Sequence, residues 1–290
     1  MSEPALEGPG VAQAADRRVA NRKARRREAI LLAALAITGA AIEYPLALAL
    51  KSLSGRELLR TSPFLGITLV LAALIPLVLA INDRLGLPGA PLIAAKLTGE
   101  KLHFSLRNLI KVSFGYALLA ALAGAGVLAL IIVPLLLIKH GAFKIPNPPM
   151  LSIPPGRIAI VGALVAVAAA VSEEIQFRMV LYAILGWFAH LLSSDERDHP
   201  RRGALWIVTL LQGYLFGLVH LVPLGGMFFH STWRLMLAGL VMPQMWEGVV
   251  FGRLYLRRGL EASIIAHASM DLSLFLLTAI GMLSVHLGSK

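Results

Sequence analysis

The sequence contains no cysteine. Disulfide bonds, thiolate nucleophiles and cysteine-ligated metal sites are therefore excluded. Charged residues are also scarce, at 15% of 290 residues, whereas 57% are hydrophobic and the mean hydropathy is +0.75. Soluble domains are usually about half apolar, and here the apolar residues lie in long blocks. The composition predicts an integral membrane protein.

Acidic residues are few, and the chain has a net charge of +11. Much of the positive charge lies in a run from Arg17 to Arg27, before the first apolar block, and more lies between the blocks. Positive charge beside a membrane span keeps a terminus in the cytoplasm and attracts anionic lipid. We predict that residues 1–28 form a disordered, basic cytoplasmic tail that contacts anionic lipid. We expect no nucleic-acid partner, and the long first block does not fit a signal peptide.

Seven apolar segments follow, each measured against the roughly 20 residues that a membrane span needs. They are residues 29–50, 63–81, 108–138, 157–192, 203–229, 233–254 and 260–288. The sequence therefore predicts an all-α integral membrane protein of the cell membrane, a bundle of seven transmembrane helices, or eight if the last segment folds back. We divide it into N-terminal transmembrane helices at 29–150 and a C-terminal core at 151–290, and the ionisable residues inside the last four helices of this core predict a catalytic site there.

Segment 157–192 is longer than one span requires and has two possible arrangements. We compared the two arrangements with the N-terminus in the cytoplasm. A single unbroken segment then places more Lys and Arg residues on the cytoplasmic side than two shorter spans do. The charge distribution therefore favours one long segment and the seven-helix bundle.

Two adjacent carboxylates, Glu173 and Glu174, stand near the middle of this segment. A charge at mid-bilayer costs about 2.5–3.5 kcal/mol on insertion scales, so it needs a partner or a function. Arg178 follows Glu174 at a spacing that predicts an ion pair on one helix face. Glu173 has no such partner, which favours a role as general base. In a split segment, Glu173 would instead be a surface residue at a helix end.

Histidine occurs in two further segments, with Phe216 and His220 in one and His267 and Asp271 in the other. The spacings place each pair on one helix face. Small residues between His267 and Asp271 allow a neighbouring helix to approach closely. Taken singly, His220 is compatible with a packing role, and His267 with Asp271 forms a self-satisfied pair. Together with Glu173, these residues on three spans predict a proton relay or a catalytic site.

Two other carboxylates lie within apolar segments. Glu43 stands alone in the first segment, and we interpret it as a helix-end or structural residue. Glu247, beside Trp246, is a candidate to line the same cavity as the histidines.

The three motifs Glu-Glu-x-x-x-Arg, Phe-x-x-x-His and His-x-x-x-Asp, in this order, resemble the CPBP family of intramembrane glutamic proteases. This family comprises the type II CAAX prenyl endopeptidases and their bacterial relatives, also called the Abi family. The resemblance covers about residues 157–275, and the N-terminal half is similar only in having several spans. It implies a metal-independent endopeptidase that cleaves near the C-terminus of a membrane-embedded or lipidated protein or peptide.

The resemblance also implies roles for individual residues. Glu173 would activate a water molecule, His220 would bind the same water, and His267 would stabilise the oxyanion together with residue 271. The supporting residues would be Glu174, Arg178 and Phe216. Better-known members of the family have Asn at position 271, an obligate hydrogen-bond donor, whereas this chain has Asp. An ionised Asp271 cannot donate to an oxyanion, so either Asp271 is protonated or it orients His267 as the sole donor.

Other chemistries and functions stay open at the level of sequence. The chain has no His-Glu-x-x-His motif, and we expect no cofactor, although two His and two Glu are compatible with zinc. A non-hydrolytic scaffold or bacteriocin-immunity protein of the same fold is one alternative function, and a proton-coupled transporter is another. The Glu pair with its Arg favours hydrolysis, and the lack of an internal repeat counts against transport.

Overall fold

The structure is a computed structural model that describes residues 9–51, 62–101, 104–138, 154–195, 199–228, 236 and 238–288. These residues are mainly helical and contain no strand, only an isolated bridge between Ser194 and Pro200. The elements are α1 Pro9–Lys51, α2 Ser62–Ala73, α3 Ile75–Leu85, α4 Pro91–Thr98, α5 Leu106–Ile138, α6 Pro155–Glu174, a π-helical turn Ile175–Leu181, α7 Tyr182–Leu192, α8 Arg202–Phe228, α9 Pro243–Arg258 and α10 Leu260–Gly288. The predicted all-α class is confirmed for the described part of the chain.

Four of the described helical stretches are long and apolar enough to cross a membrane. They are Leu106–Leu130, Pro155–Leu192, Arg202–Leu221 and Leu260–Ser284. A fifth span results if α2 and α3, which meet at a 52° bend, count as one. Pro76 in the first turn of α3 contributes to this bend because it has no N–H to donate to the preceding turn. The described residues support a multi-pass membrane protein but do not confirm seven or eight helices.

The long segment around Glu173 is continuous. Helix α6, the π-helical turn and α7 together form one candidate span of 38 residues, Pro155–Leu192. The wide π-helical turn begins immediately after Glu174, and such turns often mark functional sites. The prediction of one unbroken segment is confirmed.

Two predicted boundaries differ from the structure. Helix α1 begins at Pro9, so residues 9–28 are helical where we predicted a disordered tail. The stretch from Val11 to Arg27 has no Gly or Pro and is rich in Ala, Arg and Lys, all of which favour helix. Residues 1–8 lie outside the described part.

The sixth predicted segment, 233–254, also has different limits. Within it, residues 238–240 are helical, a turn follows at 241–242, and α9 then begins at Pro243 and ends at Arg258, a length of 16 residues. Proline is favoured in a first helical turn because that N–H has no partner within the helix. Residues 229–235 lie outside the described part of the chain. Helix α9 by itself is shorter than the roughly 20 residues of a span.

The packing of the helices places the functional segments side by side. Helix α6 packs against both α1 and α10, and α9 packs against α5, α8 and α10. Helices α8 and α9 approach closely because glycines face each other: a Cβ on Gly213 would lie 2.7 Å from the carbonyl oxygen of Met245, and one on Gly248 3.0 Å from Cα of Gly213. This contact holds the face of α8 that carries Phe216 beside the π-helical turn.

The turn between α9 and α10 fixes the start of α10. Gly259 has φ 89°, a conformation that favours glycine. The N–H of Leu260 donates to the carbonyl oxygen of Gly89 at 2.9 Å, and the N–H of Ile93 donates to Oε1 of Glu261 at 2.9 Å. These bonds tie α10 to α4 and to the loop before it, and thereby set the position of His267 along the bundle.

Candidate active site

The structure brings all seven predicted site residues together. Helix α6, the π-helical turn, α8 and α10 contribute Glu173, Glu174, Arg178, Phe216, His220, His267 and Asp271. Glu173 is only 13% exposed, so it is not a surface residue at a helix end. The convergence that we predicted from three separate spans is confirmed.

Glu173 faces both histidines. Its Oε2 atom lies 4.0 Å from Nε2 of His220 and 3.9 Å from Nε2 of His267. Both distances are too long for direct hydrogen bonds. Each is short enough for a single water molecule to bridge. Within the described residues, this Oε2 atom is buried and has no hydrogen-bond partner.

The orientation of His220 is set by Phe216, one turn earlier on α8. Nδ1 of His220 lies 2.8 Å from the carbonyl oxygen of Phe216. Because a carbonyl oxygen only accepts, we assign the proton to Nδ1. In the neutral ring, Nε2 then presents a lone pair toward Glu173. The Phe216 ring packs edge-on against His220 at 4.6 Å between ring centroids, which further restricts the imidazole.

His267 has a carboxylate at each ring nitrogen. Nδ1 lies 2.8 Å from Oε1 of Glu174, and Nε2 lies 3.3 Å from Oδ2 of Asp271. The ring also stacks on Phe251, with 5.1 Å between centroids and 21° between planes. Both nitrogens can donate together only when the imidazole is protonated. The contact with Asp271 agrees with the predicted orienting role, and Glu174 adds an orienting contact on the opposite side of the ring.

Glu174 pairs with Arg178, as predicted. Oε2 of Glu174 lies 3.1 Å from Nε of Arg178, and both side chains are fully buried. The guanidinium donates to the carbonyl oxygen of Gly248 at 3.4 Å and lies 4.4 Å from the Phe216 ring centroid. What sequence reasoning missed is the second use of Glu174, whose other oxygen holds His267. The helix-spacing rule indicates a partner on the same helix and is silent about one on α10.

Glu43 is part of the surroundings of the site: it does not lie at the end of α1, which continues to Lys51, and its contact with Ser172 agrees with the structural role we also considered. Ser172, fully buried directly before Glu173, donates its hydroxyl to Oε2 of Glu43 at 2.6 Å. One turn earlier on α1, a Cβ on Gly39 would lie only 2.9 Å from the carbonyl oxygen of Ala168. The Gly39–Glu43 spacing, a small residue and a carboxylate on one helix face, is the signal that sequence reasoning overlooked.

Glu247 faces the same cluster from α9. Its side chain is buried, and Oε1 lies 2.6 Å from the position that a Cβ on Gly124 of α5 would take. It is within electrostatic range of Asp271, His267 and Arg178. This supports the prediction that Glu247 lines the same region.

The carboxylates and imidazoles lie close together without forming a typical metal site. Across the ranges that the structure describes, no three His, Asp or Glu side chains are arranged so that they could hold a metal ion. The expectation that the protein needs no cofactor stays a prediction, as does the zinc alternative.

The part of the chain that carries this cluster has relatives among known families. Residues 155–273 match the type II CAAX prenyl endopeptidase Rce1-like family. The predicted resemblance to type II CAAX prenyl endopeptidases is thereby confirmed over these residues. The Rce1-like family is a family of proteases, so the match and the apolar helices together support a multi-pass membrane hydrolase. No curated protein and no solved structure matches the chain.

The Rce1-like match includes all seven predicted site residues and excludes α1. Glu43, which contacts Ser172, therefore reaches the cluster from a part of the chain that the match does not cover.

Proposed function

We propose that this protein is an intramembrane endopeptidase that hydrolyses a peptide bond near the C-terminus of a membrane-associated or lipidated protein or peptide. The observation that carries the proposal is that Oε2 of Glu173 lies within 4.0 Å of Nε2 of both His220 and His267. These groups meet within long apolar helices, where ionisable residues require a function or a partner. The match to the Rce1-like protease family supports the same conclusion.

The first step is the activation of water. A water molecule between Glu173 and His220 donates one hydrogen to the carboxylate and the other to the Nε2 lone pair of His220. One of the two lone pairs on the water oxygen is then directed at the scissile carbonyl carbon. As the new O–C bond forms, Glu173 takes the proton and acts as a general base.

The second step is the stabilisation of the oxyanion. Nδ1 of His267 is engaged by Glu174, which leaves Nε2–H as the donor to the oxyanion of the tetrahedral intermediate. Asp271 holds the same N–H until the substrate carbonyl arrives. A donor held in place before the reaction contributes more than one that must reorient. The buried Glu174–Arg178 pair keeps His267 in position through this step.

The third step releases the amine. When the intermediate collapses, the C–N bond breaks and the proton on Glu173 passes to the leaving nitrogen. The carboxylate is thereby regenerated, with the carboxylic acid and the amine as products. No covalent enzyme intermediate is required, in agreement with the absence of cysteine.

The side of the site that meets the substrate is the one with His220 and Asp271. Their side chains are 31% and 21% exposed, whereas His267 and Glu174 are 5% and 0% exposed. A peptide therefore approaches past His220 and Asp271. Its carbonyl group reaches Glu173 before it reaches the more deeply buried His267 and Glu174.

The test is cleavage by the purified full chain in detergent, with a library of hydrophobic and lipidated peptides analysed by mass spectrometry. Wild type is compared with Glu173→Gln and His220→Ala. The matched control is Glu100→Gln, which changes the same functional group at an exposed position. We expect cleavage by wild type and by the control, and its loss in both site variants.

Cleavage that persists in both site variants would overturn the proposal. If no library peptide is cleaved, proton uptake by the protein in sealed vesicles tests the transporter alternative. Proton uptake that Glu173→Gln abolishes would replace hydrolysis with transport. An inactive protein in both assays favours the scaffold or immunity alternative.

A further inference from the structure

A basic pocket lies at one end of the bundle, away from the candidate active site. Its volume is about 460 Å³, and residues from the loop after α3, the start of α8 and the end of α9 line it. We define it by five of its lining residues, namely His199, Arg202, Trp206, Arg253 and Arg257. None of the lining residues that the structure describes is acidic.

Three guanidinium groups converge on this pocket from two helices. Arg253 lies over the Trp206 ring at 4.6 Å from its centroid, and Nη1 of Arg257 donates to the Tyr116 hydroxyl at 2.9 Å. Neither contact neutralises a charge. One carboxylate, that of Asp195, lies beside the pocket and accepts the backbone N–H of His199 at 3.0 Å, so the three arginines leave an excess of positive charge among the described residues. Like charges in one cavity repel each other, so an anion that binds between them is stabilised.

The start of α8 adds to this positive charge. The helix begins at Arg202, and its first turn, with Leu205 and Trp206, forms part of the pocket wall. The first N–H groups of a helix have no partner within it and attract anions. The end of α9 contributes the opposite partial charge, and Arg253 and Arg257 outweigh it.

The surroundings indicate a lipid as the source of the anion. The pocket lies at the start of α8, whose candidate span begins at Arg202, and the end of a span is at the depth of the headgroup layer. Below it, α8 presents a lipid-accessible apolar face on which Trp206 is 44% exposed and Ile207 67% exposed. A headgroup in the pocket therefore leaves its acyl chains along this face. Aromatic side chains such as Trp206 are common at this depth.

We propose that the basic pocket binds the phosphate of an anionic phospholipid headgroup, with the acyl chains along the exposed face of α8. This site is separate from the N-terminal basic tail and does not depend on the proposed peptidase activity. Arginine suits the role because its planar guanidinium can bind two phosphate oxygens at once.

The experiment measures lipid binding to the full chain by native mass spectrometry, with phosphatidylglycerol and phosphatidylcholine as probes. Wild type is compared with Arg253→Gln/Arg257→Gln. The matched control, Arg107→Gln/Lys111→Gln, removes two exposed positive charges at the start of α5. We expect wild type and the control to bind phosphatidylglycerol at least about tenfold more tightly than the pocket variant does, since the variant lacks two of the guanidinium groups that bind the phosphate.

If the affinity for phosphatidylglycerol falls equally in the pocket variant and in the control, the lipid is attracted to positive charge in general, and the proposal is overturned. If inorganic phosphate displaces phosphatidylglycerol at equal concentration, the pocket does not select a lipid, and the proposal of a lipid headgroup is overturned. If the double variant does not fold, the single change Arg202→Gln, at an exposed position, takes its place. Binding by Arg202→Gln equal to that of wild type would then count against the pocket.

Discussion

Oε1 of Glu174 lies 2.8 Å from Nδ1 of His267, although the two residues are 93 positions apart in the chain. The other oxygen of the same carboxylate lies 3.1 Å from Arg178. One buried carboxylate therefore connects a buried cation on the π-helical turn to the imidazole that faces Glu173.

This link predicts that Glu174→Gln damages both stability and activity. Removing one partner of a buried ion pair costs about 3–5 kcal/mol, because Arg178 is left buried without its counterion. We expect a matching fall in the midpoint of unfolding in detergent and a loss in kcat on the order of 10²-fold or more, since His267 is no longer oriented.

The double variant Glu174→Gln/Arg178→Met separates the two effects. Replacing both partners of a buried pair with uncharged groups removes the uncompensated charge, so most of the lost stability should return. Activity should stay low, because His267 still lacks its partner. A double variant that regains activity together with stability would show that Glu174 acts only through folding.

Sequence reasoning found the members of the candidate site but only part of its connections. The Glu174–Arg178 pair and the grouping of His267 with Asp271 were predictable because both follow from helical spacing within one segment. The contact from Glu174 to His267 depends on the depth of α10, which the bonds from Leu260 to Gly89 and from Ile93 to Glu261 set. Nothing local in the sequence encodes that depth.

The fold was predictable in kind and less so in its boundaries. Apolar blocks identify helices in a membrane because a spanning backbone must satisfy its hydrogen bonds internally. They do not show where a helix ends beyond the apolar block, and α1 accordingly continues through its basic residues to Pro9. The apolar pattern likewise does not show that α9 starts at Pro243, because the pattern runs across the break that precedes this proline.

Glu173 and His220 should act as one unit if they bind the same water molecule. We expect Glu173→Gln to reduce kcat/KM by about 10³-fold or more and His220→Ala by a comparable factor. The double variant should be little worse than either single variant, because groups that act together show strongly non-additive losses. Steady-state kinetics of the four proteins test this, and multiplicative losses would indicate that the two residues act at separate steps.

Asp271→Asn should raise activity. Asn keeps the size of the side chain, can donate a hydrogen bond, and removes a negative charge beside the oxyanion. We expect an increase in kcat of up to about tenfold, and a pH–rate profile shows which role Asp271 has in wild type. If Asp271 acts as a protonated donor, wild type loses activity at alkaline pH and Asp271→Asn does not. If Asp271 orients His267, the two proteins share the same alkaline limb. Lower activity of Asp271→Asn at every pH would contradict the expected gain and would show that the negative charge of Asp271 is needed to hold Nε2 of His267.

Metal chelation should leave the activity unchanged. Both ring nitrogens of His267 contact carboxylates, and the described side chains offer no three-ligand metal site. We expect the same initial rate before and after dialysis against a strong chelator, with a zinc peptidase in parallel as a positive control. Loss of activity on chelation, with recovery on adding zinc, would establish the zinc alternative.

The contact between α1 and α6 predicts a functional role for a residue far from the reacting groups. Gly39 allows α1 to lie against Ala168 and Ser172, and this approach places Glu43 within 2.6 Å of the Ser172 hydroxyl. In Gly39→Ala, the added Cβ would lie 2.9 Å from a backbone oxygen, so the helices must separate and the Glu43–Ser172 bond must lengthen. Because Ser172 directly precedes Glu173, we expect kcat to fall by roughly tenfold while KM changes little.

The control for this prediction is Gly115→Ala on α5, where no atom lies within 4 Å of the added Cβ. Alanine is more favourable than glycine within a helix by about 1 kcal/mol, so a change without a steric clash should be neutral or stabilising. A Ser172→Ala variant removes the same hydrogen bond without moving the helices, and it should reproduce the fall in kcat. If Gly39→Ala lowers kcat but Ser172→Ala does not, helix spacing alone matters and Glu43 has no positioning role. If both lower kcat and Gly115→Ala does not, the site extends beyond the family-matched region to the first helix.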